Sequence, residues 1–93
     1  MIVIDTPIVP RYGRMWAHLA SDVSYGELHA FARGVGIPAR GFDRDHYDVP
    51  AEMYDAMVAA GASPVSSREL VRMLRVAGLR RPKAGHVGDV SRR

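Results

Sequence analysis

Residues 14–22 read Arg-Met-Trp-Ala-His-Leu-Ala-Ser-Asp, "RMWAHLASD", and the role given to them decides what sheet the rest of the chain can build. Pro7, Pro10 and Gly13 lie just upstream, and aromatic, charged and apolar side chains intermix. Residues 7–23 therefore read as an irregular segment with a short helical turn around Met15–Leu19. Read so, the stretch supplies no strand. The sheet must come from three short runs: the β-branched Ile2-Val3-Ile4, closed by Asp5-Thr6-Pro7; Ala39–Phe42; and Ser63–Val65.

Helices fall between these runs. Ser24 and Glu27 form a capping box, and Leu28, Phe31, Ala32 and Val35 follow at i, i+3, i+4 and i+7, which predicts a helix over 25–35. Gly36 supplies a left-handed stop, Ile37 its returning apolar contact, and Pro38 prevents continuation. Pro50 suits the first turn of a second helix, with Met53, Tyr54, Met57 and Val58 inward and Gly61 at its end. Ser66 and Glu69 cap a third, whose stripe is Leu70, Met73, Leu74 and Ala77 before Gly78-Leu79. Strand and helix alternating three times predict an α/β domain: a small three-stranded, mainly parallel sheet with right-handed crossovers and helices packed on it. The alternative is a mostly helical α+β domain with one hairpin.

Ninety-three residues, 47% of them apolar, suffice for one domain with one core. The absence of cysteine excludes disulfide staples and thiolate metal sites. The N-terminus lacks the pattern of a secretory signal and no apolar run is long enough to span a bilayer, so a soluble, cytoplasmic chain is expected. The formal charge of +3 is unevenly spread: residues 1–79 hold eight Arg against nine Asp/Glu, whereas residues 80–93 hold five Lys/Arg against one Asp. That divides the chain into a compact domain, 1–79, and a basic tail, 80–93, suited to touching nucleic acid or an acidic protein surface.

In a parallel sheet, ligands bind outside the carboxyl ends of the strands. Asp5 and Thr6, then Asp43 to Asp48, then Ser66, Ser67 and Arg68 would converge on that rim, and the 14–22 stretch would add His18 and Asp22. His18 with Asp22, and His46 with Asp48, are imidazole–carboxylate pairs able to ligate a divalent metal such as zinc or manganese, or to act as a base with its orienting acid. Both pairs also have a bland explanation as satisfied polar contacts, and Asp48, two residues before Pro50, suits a helix cap. Ser66, Ser67 and Arg68 at a helix start offer backbone N–H groups, a positive dipole end and a guanidinium to phosphate, although capping alone accounts for Ser66 and Glu69. Trp16, among Arg11, Tyr12 and Arg14, suits base stacking or plain anchoring of the segment to the core. His29 is expected at the helix–sheet edge, and Asp45-His46-Tyr47 are left facing the rim.

"GRMWAHLASD", "ELHAFARGVGIP", "DHYDVP" and "GASPVSSRELVRML", in that order, resemble the small bacterial and phage family called domain of unknown function 4031, over roughly residues 1–79. The resemblance implies a compact intracellular domain and carries no established activity or catalytic residue. It marks Trp16, His18, Asp22, His29, His46, Tyr47, Asp48, Ser66, Arg68 and Glu69 as the motif positions present. Thr6 stands where a second acidic residue after Asp5 is expected.

The expected function is binding of a phosphate-bearing ligand, a nucleotide or nucleic acid, with metal-dependent hydrolysis as its enzymatic form. His18, Asp22, His46 and Asp48 are the candidate catalytic and metal-binding residues; Asp5, Trp16, Tyr47, Ser66, Ser67 and Arg68 are the candidate ligand contacts. A protein-interaction module binding a host protein and nucleic-acid binding through residues 80–93 are the alternatives. No membrane partner is expected.

Overall fold

A computed structural model describes residues 1–82 of the chain. Strands β1 (Ile2–Ile4), β2 (Val9–Arg11) and β3 (Arg14–Ser21) lead into helix α1 (Tyr25–Gly34). A 3-10 turn over Ala39–Gly41 precedes β4 (Phe42–Asp43) and β5 (His46–Pro50); a second, over Ala51–Met53, opens into α2 (Tyr54–Ala59). Strand β6 (Ser63–Pro64) and helix α3 (Ser67–Val76) complete the domain.

The sheet is six-stranded, in the order β4-β5-β3-β1-β6, with β2 also paired to β3. Among the described residues every pairing is antiparallel except β1 with β6. This corrects the three-stranded, mainly parallel sheet. Residues 39–41, expected as strand, form a 3-10 turn, and residues 46–50, expected as loop and helix start, form a strand. The opening stretch forms the strand between the latter and β1. Residues 14–21 form an eight-residue strand at the centre of the sheet rather than an irregular segment. Tyr12 and Gly13, with φ of 54° and 76°, make the two-residue turn that folds β2 back onto it; positive φ at both positions matches the right-handed strand twist.

The helices follow their sequence signals more closely. Ser24 caps α1 and Ser66 caps α3 by accepting the N–H of Glu27 and Glu69. Gly36 and Gly78 adopt φ of 85° and 76°, and Ile37 and Leu79 donate back to the carbonyls of Ala32 and Leu74, closing both Schellman stops. The second helix differs: its regular part starts at Tyr54, and Pro50 caps the preceding 3-10 turn without a side-chain bond.

Alternation along the strands sorts the chain into two layers of packing. Ile2, Ile4, Ala17, Leu19, Tyr47 and Val49 face α1 and α2 and form the larger core with Leu28, Ala32 and Met57. The opposite face carries Val3 and Ala20, which pack against Leu70 and Leu74 of α3. Helix α3 covers the part of that face that carries Val3 and Ala20. The remainder, where Trp16, His18, His46 and Asp48 project from β3 and β5, is left for polar chemistry. Among the described residues no helix is long and apolar enough to cross a membrane. Most of the basic tail, residues 83–93 with His86, lies outside the described residues.

Candidate metal centre

Strand register brings the polar side chains together. His18 on β3 is directly opposite Asp48 on β5, and His46, two residues from Asp48, shares its face. The two imidazoles meet edge to face with centroids 4.7 Å apart. One donor atom from each of His18, His46 and Asp48 lies within 4.8 Å of the others, and His46 Nε2 already stands 3.2 Å from Asp48 Oδ1. Ligands about 2.0–2.2 Å from a tetrahedral metal sit roughly 3.3 Å from one another, so the His46–Asp48 pair is at ligand spacing as it stands.

Each imidazole is held from behind. Asp5, 1% exposed, follows β1 and takes His18 Nδ1 on Oδ2 at 2.8 Å. Its Oδ1 accepts the His18 backbone N–H at 2.6 Å, and the Asp5 N–H donates to the His18 carbonyl at 3.1 Å. The carboxylate thereby replaces a backbone carbonyl at the point where the β1–β3 ladder ends. The Ser67 hydroxyl donates to Asp5 Oδ2 at 2.9 Å. Asp45, also 1% exposed, holds His46 Nδ1 at 2.8 Å and is itself bound on Oδ2 by Arg80 NH1 at 3.2 Å and the Arg81 N–H at 2.7 Å. Both histidines therefore have Nδ1 engaged by a buried, buttressed carboxylate, which leaves the Nε2 edges as the available ligand positions.

A tight turn fixes Asp45. Arg44 has φ of 61°, and the Asp45 N–H donates to the Asp43 carbonyl at 2.6 Å, a three-residue turn with a non-glycine residue at positive φ. Such backbone costs on the order of 1–3 kcal/mol and persists only where its surroundings enforce it. Arg44 is clamped to Asp43 through two nitrogens, and that pair holds the Asp43 carboxyl below its usual range.

The electrostatics favour charged groups. Burial works against ionised Asp5, but hydrogen bonds from the His18 ring and backbone and from Ser67 outweigh it, and the carboxyl is held below the ordinary value. Burial likewise opposes protonated His46, yet its bonds to Asp48 and Asp45 prevail and raise its pKa. The His46 bond lowers Asp48 in return, with smaller help from the charges of His18 and Arg11. A small cavity of about 80 Å³, bordered by Arg11, Trp16, His18, Arg44, His46 and Asp48, opens over the cluster, with room for an ion and a water or two.

The other residues singled out in the sequence are dispersed. Asp22 does not join His18: it takes the Met1 ammonium at 2.8 Å, because residues 18 and 22 of an extended chain stand about 13 Å apart. Asp48 is not the cap of the second helix but a mid-strand residue on the open face. Tyr47 points away from it into the larger core, its hydroxyl 2.6 Å from His29 Nδ1. Ser66 is spent on its cap, and Arg68 is exposed beside it. Ser67 reaches Asp5, so the anion nearest the start of α3 is the protein's own carboxylate; the single parallel pair, β1–β6, brings these two carboxyl-terminal ends together. Trp16 borders the cavity, its indole N–H fixed on the Arg11 carbonyl at 2.8 Å.

Sequence reasoning left Asp45 on the rim without a role and passed over Arg80. Asp45 precedes its histidine by one position, a spacing with no signal of its own, and Arg80 sits where the chain reads as tail. Both take their roles from tertiary contacts alone.

No curated protein and no solved structure matches the chain. The family model described as "Protein of unknown function (DUF4031)" matches residues 2–77, all but the ends of the domain, and the chain belongs to that family.

Proposed function

We propose that this domain binds one divalent metal ion through His18, His46 and Asp48 and uses it to hydrolyse a phosphate ester. The observation that supports the reading is the paired arrangement behind the imidazoles. Asp5 on His18 and Asp45 on His46 fix the same tautomer twice, an arrangement that recurs behind metal-ligating histidines. Two imidazoles and one carboxylate suit zinc, manganese or ferrous iron; the lack of thiolates argues against softer ions.

A divalent ion in such a site supplies Lewis acidity at neutral pH. The chain's own groups do the rest. Asp5 and Asp45 keep the imidazoles aimed. Arg11, whose NH1 is 3.9 Å from Asp48 Oδ2, and Arg44 border the cavity and offer positive charge to a phosphoryl group. Water adds to phosphorus, the ester P–O bond breaks, and the departing alcohol takes up the proton.

The test is a panel of phosphomonoesters and phosphodiesters assayed with the full chain after chelator treatment and after reloading with zinc or manganese. Turnover that requires the ion and disappears in His46→Ala is expected. A protein that binds the ion yet cleaves no ester in the panel contradicts the hydrolytic assignment.

A further inference from the structure

Beside the cavity over His18, His46 and Asp48 lies a second, larger cleft of about 670 Å³, within the range of small-molecule sites. The two cavities share Arg11, Trp16, Asp43 and Asp48 as lining, so one molecule can occupy both. The walls of the larger cleft differ in kind from those of the smaller. Trp16, Phe42 and Met53 give it aromatic and apolar surface, and Arg11 and Arg40 add two guanidinium groups.

We infer that this cleft holds the base of a nucleotide whose phosphate reaches the metal centre; the inference rests on the proposed metal site and names its substrate class. Three features carry it. First, the cleft lies next to a cluster suited to a cation, so a ligand filling both needs an anionic end and a flat, weakly polar end. Second, Trp16 is fixed in place: its indole N–H is bonded to the Arg11 carbonyl at 2.8 Å, and Arg14 lies over its ring at 5.8 Å. A stacking surface held rigid before binding loses little conformational freedom when a base settles on it. Third, Phe42, which also lines the cleft, is braced edge to face against Tyr25, His29 and Tyr47, at centroid distances of 5.8, 4.7 and 5.3 Å, which makes its part of the wall rigid as well. Arg11 sits at the junction of the two cavities, where the sugar–phosphate link of a nucleotide passes.

The occupant is a mononucleotide or the end of a strand rather than duplex, because a base enters such a cleft only when unpaired. Stacking recognises the π-face of any base, so the site discriminates nucleotide from sugar phosphate more than one base from another.

Trp16 is the only tryptophan in the chain, so its fluorescence reports directly on the cleft. The full chain, loaded with zinc, is titrated with 5′-AMP, ribose 5-phosphate and inorganic phosphate, by calorimetry and by Trp16 emission; the chelator-treated chain is titrated with adenosine. Expected are saturable quenching by 5′-AMP, binding at least tenfold tighter than ribose 5-phosphate, and weak but saturable quenching by adenosine without metal. Trp16→Leu should reduce 5′-AMP to the affinity of ribose 5-phosphate while zinc affinity stays unchanged. Equal affinities for 5′-AMP and ribose 5-phosphate in zinc-loaded protein overturn the base subsite and leave the metal site standing. Adenosine quenching in a protein that binds no zinc preserves the subsite and removes the metal.

Discussion

Asp5 holds His18 at three points: the ring Nδ1 at 2.8 Å on one carboxylate oxygen, the backbone N–H at 2.6 Å on the other, and the His18 carbonyl through its own N–H at 3.1 Å. One buried residue thus ends a strand pairing and aims a candidate metal ligand. Asp5→Asn keeps the shape but gives up the charge and one acceptor. It should weaken zinc binding about 10–100-fold, the usual cost of removing a carboxylate behind a ligating histidine. It should also lower stability by about 2 kcal/mol for the charge-assisted bonds lost. Calorimetric titration and urea unfolding separate the two effects.

The adjacent serines of α3 should divide cleanly. Ser66 accepts the Glu69 N–H and caps the helix, whereas Ser67 donates to Asp5. Ser66→Ala should cost about 1 kcal/mol of stability with unchanged zinc affinity. Ser67→Ala should weaken zinc binding several-fold through Asp5. Equal effects of the two substitutions on zinc binding contradict the assignment.

Arg80 lies outside the segment matched by the family model, yet it braces the buried Asp45 that holds His46. Arg80→Ala leaves the Arg81 N–H as the partner of Asp45 Oδ2, with His46 still on Oδ1. It should reduce stability by about 2 kcal/mol and zinc affinity by several-fold. Arg80→Lys, which keeps the charge, should recover part of both, as measured by thermal unfolding and zinc titration.

The metal-free protein should lose stability as pH rises past neutrality. Burial disfavours charged His46, but its bonds to Asp48 and Asp45 raise its pKa above the ordinary 6.5. A group that binds its proton more tightly when folded contributes stability fully below the unfolded pKa and loses it as pH rises through the folded value. In chelator, the melting temperature should therefore fall as pH rises above the ordinary histidine value of 6.5, and His46→Gln should flatten that slope. A melting temperature that rises over the same interval contradicts the charged assignment.

The first and third helices were legible because local residues decide them. Ser24, Ser66, Gly36 and Gly78 carry start and stop signals that tertiary structure left intact. The sheet was hidden by the groups that make the site interesting. Strand β3 alternates Trp16, His18 and Ala20 against Ala17, Leu19 and Ser21, and its open face holds an imidazole where a simple amphipathic strand has an ordinary polar residue. Its turn, Tyr12-Gly13, lacks the asparagine or aspartate that usually announces a tight hairpin. Once β3 is missing, the alternation of what remains implies parallel pairing. His18 and His46 were named from their types alone; that they meet depends on the register of β3 with β5, which no local pattern encodes.

The most direct test of the account is calorimetric titration of zinc into the chelator-treated full chain at neutral pH, beside His18→Ala and His46→Ala. One ion per chain in the wild type, with binding lost in both folded variants, is the predicted result. A folded wild type that binds no zinc, or binding that survives both substitutions, would contradict the metal centre.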